Sequence, residues 1–204
     1  GTSSASGSSS LYVFQYRGNT YHQIARAALG TKDTHWIKAV DIDKDGLDEI
    51  IIGTNRGISI YKMRSKSLVK IAEADVDGPV VSVAIADIDN DGRYEIILCV
   101  KNRPQILIYR YDRKLVLWKR ETFKHEVYCV AAGDTDSCGC AEVVVKAYSP
   151  RGGCTIHIIS YKTGDKVERW TKHFSEASGD FLEVSDFDLD GKHEIVFSCN
   201  PNRV

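Results

Sequence analysis

Alternating and continuous runs of apolar residues divide the chain into short strands. Runs in which every second residue is apolar, such as HWIKAVDID and VVSVAIADID, predict strands with one buried face. Each is followed by a continuous run rich in Ile and Val, such as EIIIG or EIILCV, which is typical of a strand buried on both faces. Two more strand-like runs follow, separated by short turns that hold Gly, Asn, Asp or Ser. Because no stretch after residue 10 has a convincing helical period, the pattern predicts an all-β protein.

An acidic segment recurs four times within this strand pattern. The copies begin at Asp41, Asp87, Asp134 and Asp186 and read DIDKDGLDEI, DIDNDGRYEI, DTDSCGCAEV and DFDLDGKHEI. Their offsets are 46, 47 and 52 residues, which is close to the length of one four-stranded propeller blade, about 40 to 50 residues. The repeat therefore predicts a β-propeller of four-stranded antiparallel blades, with about four blades in this chain.

The predicted organisation is a flexible segment followed by the propeller. Residues 1–10 contain only Gly, Ser, Ala and Thr and are interpreted as a linker or tag, so that the propeller spans residues 11–204. The blades are expected at 35–75, 79–122 and 125–173, with partial blades at 11–29 and 180–200.

Each partial blade supplies two strands, so both ends of the chain are expected to lie inside a repeating unit. If the N-terminal strands complete the C-terminal blade, the ring closes and no sheet edge is left open. Two other arrangements remain: two chains that form an eight-bladed ring, and a chain that is part of a longer propeller.

The repeated segment has the form D-x-D-x-D-G-x-x-E, whose positions we number 1 to 9. Asp at positions 1, 3 and 5 places three carboxylates on one side of a tight turn. Gly at position 6 allows a bend that aims the carbonyl of position 7 at the same point, and the acid at position 9 closes the cage. Several hard oxygen ligands in a flexible loop suit Ca²⁺ better than Mg²⁺. The segment is not an EF-hand, because strands flank it and the closing acid is at position 9 rather than 12.

Turn geometry alone is the alternative explanation, because Asp-Gly is an ordinary turn signal. Three complete copies argue against it, since each would hold four mutually repelling acids without a cation. The complete copies predict about three Ca²⁺ sites, in which position 7 contributes its main-chain carbonyl. The expected ligands are Asp41, Asp43, Asp45, Leu47 and Glu49; Asp87, Asp89, Asp91, Arg93 and Glu95; and Asp186, Asp188, Asp190, Lys192 and Glu194.

The third copy is degenerate. It keeps Asp134, Asp136 and Glu142 but has Cys138 at position 5, and a thiol is a poor ligand for a hard cation. We expect this loop to be empty or weak. Because the other sites recur at the same place in each blade, the ion is expected to stabilise the fold rather than to catalyse a reaction.

Charge and cysteine content limit the partners and the compartment. The 204 residues carry 27 Lys and Arg against 28 Asp and Glu, so nucleic-acid binding through a general basic field is not expected. No apolar run approaches the roughly 18 residues of a membrane span. The six cysteines lie mostly in apolar runs and no N-x-Ser/Thr sequon is present, which favours a cytoplasmic over an extracellular setting. The even number of cysteines leaves disulfides open.

The loops at Asp41, Asp87 and Asp186, each followed by an apolar strand, resemble FG-GAP repeats, also called VCBS repeats. These repeats build the β-propeller of integrin α-subunits and of related proteins. The resemblance covers residues 35 to about 199, with 11–29 as a partial blade, and implies a propeller that holds Ca²⁺ between the first and second strands of its blades. Three departures separate the chain from integrins: Glu at position 9 where integrin loops usually have Asp, no Phe-Gly or Gly-Ala-Pro signature, and four copies rather than seven.

The expected function is therefore a non-catalytic, calcium-binding propeller that serves as a scaffold for another protein, with self-association into a larger ring as a further contact. The alternative is a glycan-binding, lectin-like propeller or an accessory domain of a carbohydrate-active enzyme, for which exposed aromatic side chains beside polar groups would be the discriminating feature. An enzyme would need a non-repeating acid or His pair in the central channel, and the sequence contains no recognisable constellation of this kind.

Overall fold

The computed structural model describes residues 9–30, 33–149, 152–175 and 178–199. Within these ranges the chain forms sixteen strands and no helix. They are β1 (Ser9–Arg17), β2 (Thr20–Gly30), β3 (Thr34–Val40), β4 (Glu49–Thr54), β5 (Gly57–Arg64), β6 (Ser67–Asp75), β7 (Val80–Ala86), β8 (Glu95–Val100), β9 (Gln105–Tyr111), β10 (Leu115–Thr122), β11 (Val127–Gly133), β12 (Glu142–Tyr148), β13 (Cys154–Ser160), β14 (Val167–Phe174), β15 (Ser178–Ser185) and β16 (Glu194–Cys199). The described residues thus include no helix that could cross a membrane.

The strands form three four-stranded antiparallel sheets and two two-stranded ones. In each larger sheet neighbouring strands follow one another along the chain, in the orders β3-β4-β5-β6, β7-β8-β9-β10 and β11-β12-β13-β14. Strand β1 pairs with β2, and β15 pairs with β16. The predicted all-β fold with four-stranded antiparallel sheets is confirmed.

The second strand of each larger sheet is buried on both faces, which explains its continuous apolar sequence. In β8, Ile96 and Leu98 pack towards the first sheet, whereas Ile97 and Cys99 pack towards the third. In β12, Val144 lies in the core shared with the last strand pair, while Val143 and Val145 face the second sheet. Because residues alternate between the faces of a strand, a strand between two cores must be apolar at every position. Each fully buried Ile or Val contributes about 1.5 to 3 kcal/mol relative to an exposed one.

The first strands of successive sheets lie side by side. Strand β3 contacts β7, β7 contacts β11, and β11 contacts β15. The hydroxyl of Ser82 on β7 donates to the carbonyl of Val130 on β11 and accepts from its amide, at 3.2 and 3.1 Å. All four first strands line one cleft of about 320 Å³. The sheets therefore pack face to face in chain order, with their first strands along one side.

The prediction that the N-terminal strands complete the last sheet is wrong. Strands β1 and β2 pack instead on the first larger sheet, where Leu11, Ala25 and Leu29 share a core with Tyr61 and Leu68. The pair β15–β16 packs at the other end of the row, against β11 and β12. The first hairpin thus buries its apolar face on the first larger sheet, and it pairs with neither β15 nor β16. The chain does not close a four-bladed ring among its described residues.

The boundary of the N-terminal segment also differs slightly from the expectation. Strand β1 begins at Ser9, so Ser9 and Ser10 belong to the hairpin rather than to the linker. Residues 1–8 lie outside the described residues.

Candidate metal-binding loops

The four acidic segments form four loops with one backbone conformation. The first loop (41–49), second loop (87–95), third loop (134–142) and fourth loop (186–194) each connect the first strand of a sheet to the second. The residue at position 4 is left-handed in every loop: Lys44, Asn90, Ser137 and Leu189 have φ of 60°, 62°, 58° and 63°. The glycine at position 6 has φ between 80° and 88° in all four. Because a left-handed Leu is unfavourable by roughly 1 to 2 kcal/mol, the loop rather than the residue type imposes this conformation.

The Asp at position 1 organises each loop by accepting two backbone amides. In the first loop, Asp41 Oδ1 accepts the amide of Asp45 at 3.0 Å and Oδ2 accepts that of Gly46 at 2.8 Å. Asp87, Asp134 and Asp186 accept the corresponding amides of their own loops. The third loop therefore keeps the fold of the complete copies although it has lost the carboxylate at position 5.

The Glu at position 9 fastens the start of the loop to the first residue of the second strand. Its Oε2 accepts the amide of position 2, at 3.2 Å in Glu49, 3.1 Å in Glu95, 2.9 Å in Glu142 and 3.0 Å in Glu194. The first three of these glutamates are fully buried. Burial raises the pKa of Glu95 to about 7, against the lowering effect of its bond to the Ile88 amide. The sequence predicted a ligand at this position but not this second role as a clamp on the loop.

The residues at position 7 contribute a contact that the sequence did not predict. The amides of Leu47, Arg93 and Lys192 donate to the position-5 carboxylates of their loops, at 3.1, 2.8 and 2.8 Å. These bonds fix one oxygen of each position-5 Asp. The role of the position-7 carbonyls as ligands stays a prediction.

The remaining carboxylate oxygens of the first loop meet at one point. Asp43 Oδ2, Asp45 Oδ2 and Glu49 Oε1 lie 2.8, 2.7 and 2.7 Å from the ammonium nitrogen of Lys62 on β5. Burial alone lowers the pKa of this ammonium, but the three carboxylates raise it above its usual value. In return, the hydrogen bond from Lys62 lowers the pKa of Asp45.

The second loop contains an equivalent cation. Arg110 on β9 donates from Nε to Glu95 Oε1 at 2.9 Å and from Nη2 to Asp89, and Nη2 lies 3.8 Å from Asp91 Oδ2. Sequence reasoning missed Lys62 and Arg110. The available signal was a basic residue near the end of the third strand in both units, as in GISIYKMR and QILIYRY.

The donor sets fit a hard divalent cation. In each complete loop three acidic side chains bring one carboxylate oxygen each to within 4.8 Å of the other two. The groups are Asp41, Asp43 and Asp45; Asp87, Asp89 and Glu95; and Asp186, Asp188 and Glu194. The convergence of three oxygens on the Lys62 ammonium shows that the first loop can share a single cation among its acids. Carboxylate oxygens in this number are the ligands that Ca²⁺ prefers. The structure therefore contains acidic clusters that could hold a metal ion.

The third loop differs in the chemistry of its donors. Asp134, Asp136 and Cys138 lie together as in the other copies, but the thiol replaces a carboxylate. Val143 on β12 pairs with Ile159 on β13, so this register places Ser160 beside Glu142. The third strand therefore supplies a hydroxyl at the place where the first and second sheets supply a cation. Glu142 Oε1 is buried without a hydrogen-bond partner.

Adjacent loops contact each other. The ammonium of Lys44 in the first loop lies 3.7 Å from the ring centroid of Tyr94 in the second. The carbonyl of Asp87 accepts the amide of Ala141 in the third loop at 3.2 Å, and the amide of Asp134 donates to His193 Nδ1 in the fourth at 3.0 Å. The four loops therefore form one continuous row at the same end of the sheets.

A comparison of the sequence with models of known protein families also detects this repeat. Residues 41–98 match the model of a family described as FG-GAP-like repeat. Over these residues the chain is similar to FG-GAP-like repeats. The match runs from the first Asp of the first loop into β8, and so includes the first two loops. The resemblance predicted from these loops is confirmed over the matched residues.

A solved structure has a similar fold. The crystal structure of the rhamnogalacturonan lyase YesW superimposes with a TM-score of 0.58 and 14% sequence identity. The match covers 84% of this chain and 40% of the lyase chain. At this identity the likeness concerns the fold, and the chain spans less than half the length of that enzyme. No curated protein matches the sequence at a significant level.

Proposed function

We propose that this chain is a non-catalytic, calcium-binding portion of a β-propeller that serves as a scaffold for another protein. One observation carries the proposal: the same acidic loop, closed by the same backbone hydrogen bonds, recurs at the same end of four successive sheets. A repeated site of this kind suits an ion that stabilises the fold, because a catalytic ion is needed only once.

The packing of the sheets supports a propeller arrangement. Successive sheets stack face to face and their first strands line one cleft, as blades do around a central channel. The two-stranded sheets at the ends of the row each have the strand number of half a blade. We propose that the ring is completed by further blades or by a second copy of the chain.

Calcium would bind to the three complete loops through the carboxylates of positions 1, 3, 5 and 9. It would supply the positive charge that offsets four converging acids. Asp41, Asp87 and Asp186 would hold the loop backbone in the binding conformation, and the position-9 Glu would tie the ion to the second strand of its sheet.

The cleft and the cysteines support the remaining parts of the proposal. The cleft is lined mainly by apolar and small side chains, with Lys38, Cys129 and Glu183 as its ionisable residues; Cys129 is buried, which favours a non-catalytic role. Cys99 and Cys140 are buried free thiols and Cys138 is a half-buried one. Free thiols in this number suit a reducing, cytoplasmic compartment.

Thermal unfolding with and without EDTA tests calcium binding. We expect EDTA to lower Tm by several degrees, with recovery on adding Ca²⁺ but little on adding Mg²⁺. Asp186→Asn should reduce the calcium-dependent shift, whereas Asp165→Asn, in an exposed turn outside the loops, should not. An unchanged Tm in EDTA would contradict the calcium proposal.

The mass in solution distinguishes one chain from two, because a single 22.7 kDa chain gives about 23 kDa and a pair gives about 45 kDa.

Glycan binding is the second candidate, and the outer face of the first hairpin favours it. Tyr12, Phe14, Tyr16 and Tyr21 are exposed there, and Tyr16 and Tyr21 have ring centroids 5.2 Å apart. Aromatic rings beside polar groups suit sugar rings, and the fold is shared with a carbohydrate-active enzyme. Calorimetric titration with rhamnogalacturonan oligosaccharides should then show binding that Tyr16→Ala abolishes and Tyr148→Ala, on another exposed surface, leaves intact. Absence of heat with the wild-type chain would exclude this candidate.

A further inference from the structure

We propose that Lys62 and Arg110 are built-in cations that compete with Ca²⁺ for the first and second loops, so that the fourth loop fills first. The inference rests on the calcium binding proposed above and assigns different affinities to its sites. It concerns residues outside the repeated acidic segment, on the third strands of two sheets.

Lys62 occupies the place that an ion would need in the first loop. Its ammonium is within 2.8 Å of three carboxylates, and its side chain is only 11% exposed. Calcium holds its oxygens at about 2.3 to 2.6 Å. An ammonium and a calcium ion cannot share Asp43, Asp45 and Glu49 at these distances without strong repulsion. Calcium can therefore enter only when the Lys62 side chain leaves.

Arg110 occupies the equivalent place in the second loop. Its guanidinium contacts Asp89 and Glu95, and its central carbon lies 3.7 Å from the ring centroid of Trp118. A guanidinium stays charged at all ordinary pH values and stacks well on aromatic faces. Displacement by calcium would break both the ion pairs and this stack.

The fourth loop lacks such a competitor among the described residues. Among the described residues its sheet contains β15 and β16, and neither strand contains a Lys or Arg that could lie beside Glu194. Lys192 Nζ is 3.7 Å from Asp190 Oδ2, but its side chain is 64% exposed and can turn into solvent. Asp186, Asp188 and Glu194 therefore present their oxygens without a buried protein cation. This difference between loops of equal sequence pattern predicts the order of filling.

Calorimetric Ca²⁺ titration of the full chain tests the inference. The wild type should show one tighter site that Asp186→Asn removes. Lys62→Met keeps the volume and apolar stem of the side chain without its charge, and should tighten a second site at least about tenfold. Arg110→Met should do the same for the second loop. Lys70→Met, which removes an exposed lysine paired with Glu73, should change no site.

Unfolding in EDTA provides a readout that does not depend on the native calcium sites. Without Lys62 the acids of the first loop repel one another, so Lys62→Met should have a lower Tm than Lys70→Met, and Ca²⁺ should restore it. If the wild type shows three sites of equal calcium affinity and Lys62→Met does not change them, the inference is wrong and the proposed calcium function stands. Calcium binding by Lys62→Met but not by the wild type would overturn the order of filling, because the native fourth loop would then bind no calcium. If no variant binds calcium, both are wrong.

Discussion

Arg110 lies directly opposite Glu95 on strands β9 and β8, and its Nε is 2.9 Å from the buried Oε1 of that glutamate. The other oxygen of Glu95 accepts the amide of Ile88 in the second loop. One carboxylate thus connects the loop, the second strand and the third strand of its sheet. The metal loops are therefore an integral part of the sheets rather than appendages of them.

Removing this carboxylate should lower the free energy of unfolding even without calcium. Glu95→Ala leaves the Ile88 amide without its acceptor and Arg110 without its buried partner. Breaking a buried ion pair costs about 3 to 5 kcal/mol, and because Arg110 is 30% exposed we expect about 2 to 3 kcal/mol. Urea unfolding in EDTA measures the loss. Asp77→Ala, which removes an exposed ion pair with Arg103, should cost less than about 1 kcal/mol. Equal effects of the two substitutions would contradict this account.

Two glycines with positive φ should respond differently to substitution. At Gly46 (φ 88°) a Cβ would meet nothing within 4 Å, so Gly46→Ala should lose only about 1 kcal/mol to backbone strain. At Gly57 (φ 146°) a Cβ would lie 2.0 Å from the carbonyl oxygen of Ala74 on β6, so the β5–β6 pairing must shift. Gly57→Ala should therefore cost more than about 3 kcal/mol. Urea midpoints of the two variants provide the comparison, and a smaller loss at Gly57 would be inconsistent with the structure.

Local patterns predicted the loops well, because their chemistry is contained in nine consecutive residues. The Asp positions and Gly46 determine a turn whose hydrogen bonds need no distant partner. The continuous run in β8 likewise indicated a strand between two cores. Lys62 could not be recognised in the same way, since its role depends on the register that places the third strand beside Glu49.

The sequence pattern also does not predict the position of the first hairpin. Leu11 and Leu29 indicate a buried face, but they do not specify whether that face packs on a sheet or the hairpin extends a sheet edge. The two strands at each end of the chain favour ring closure. In the structure β1–β2 and β15–β16 nevertheless form separate sheets, and pairing between strands so far apart in the chain leaves no periodic signal.

The interaction between His157 and Glu168 predicts a measurable carboxylate titration. The hydrogen bond with His157 lowers the pKa of Glu168, and a further bond from Thr171 acts in the same direction. A lowered pKa in the folded state stabilises the protein above the ordinary value of 4.5, and this contribution is lost as the pH falls through the folded pKa. His157→Gln should raise the pKa of Glu168 towards its ordinary value, as NMR titration of the side-chain carboxyl would show. His173→Gln is the control. A Glu168 pKa that does not respond to His157→Gln would contradict the assigned cause.

The third loop should become a calcium site through one substitution. It keeps the left-handed Ser137, the Gly139 bend and both amide bonds to Asp134, so its backbone already has the conformation of the complete copies. Cys138→Asp supplies the missing carboxylate, and Ser160 beside Glu142 carries no charge. The ammonium of Lys162 lies 3.4 Å from the Cys138 carbonyl, but this side chain is exposed and can turn into solvent.

Calorimetry of Cys138→Asp should therefore show one additional site, tighter than those of the first and second loops. Cys138→Ser is the matched control, because it removes the thiol without adding an acid and should leave the number of sites unchanged. An additional site as weak as that of the first loop would mean that Lys62 does not oppose calcium there. The absence of any additional site would mean that the shared backbone conformation is not sufficient for binding.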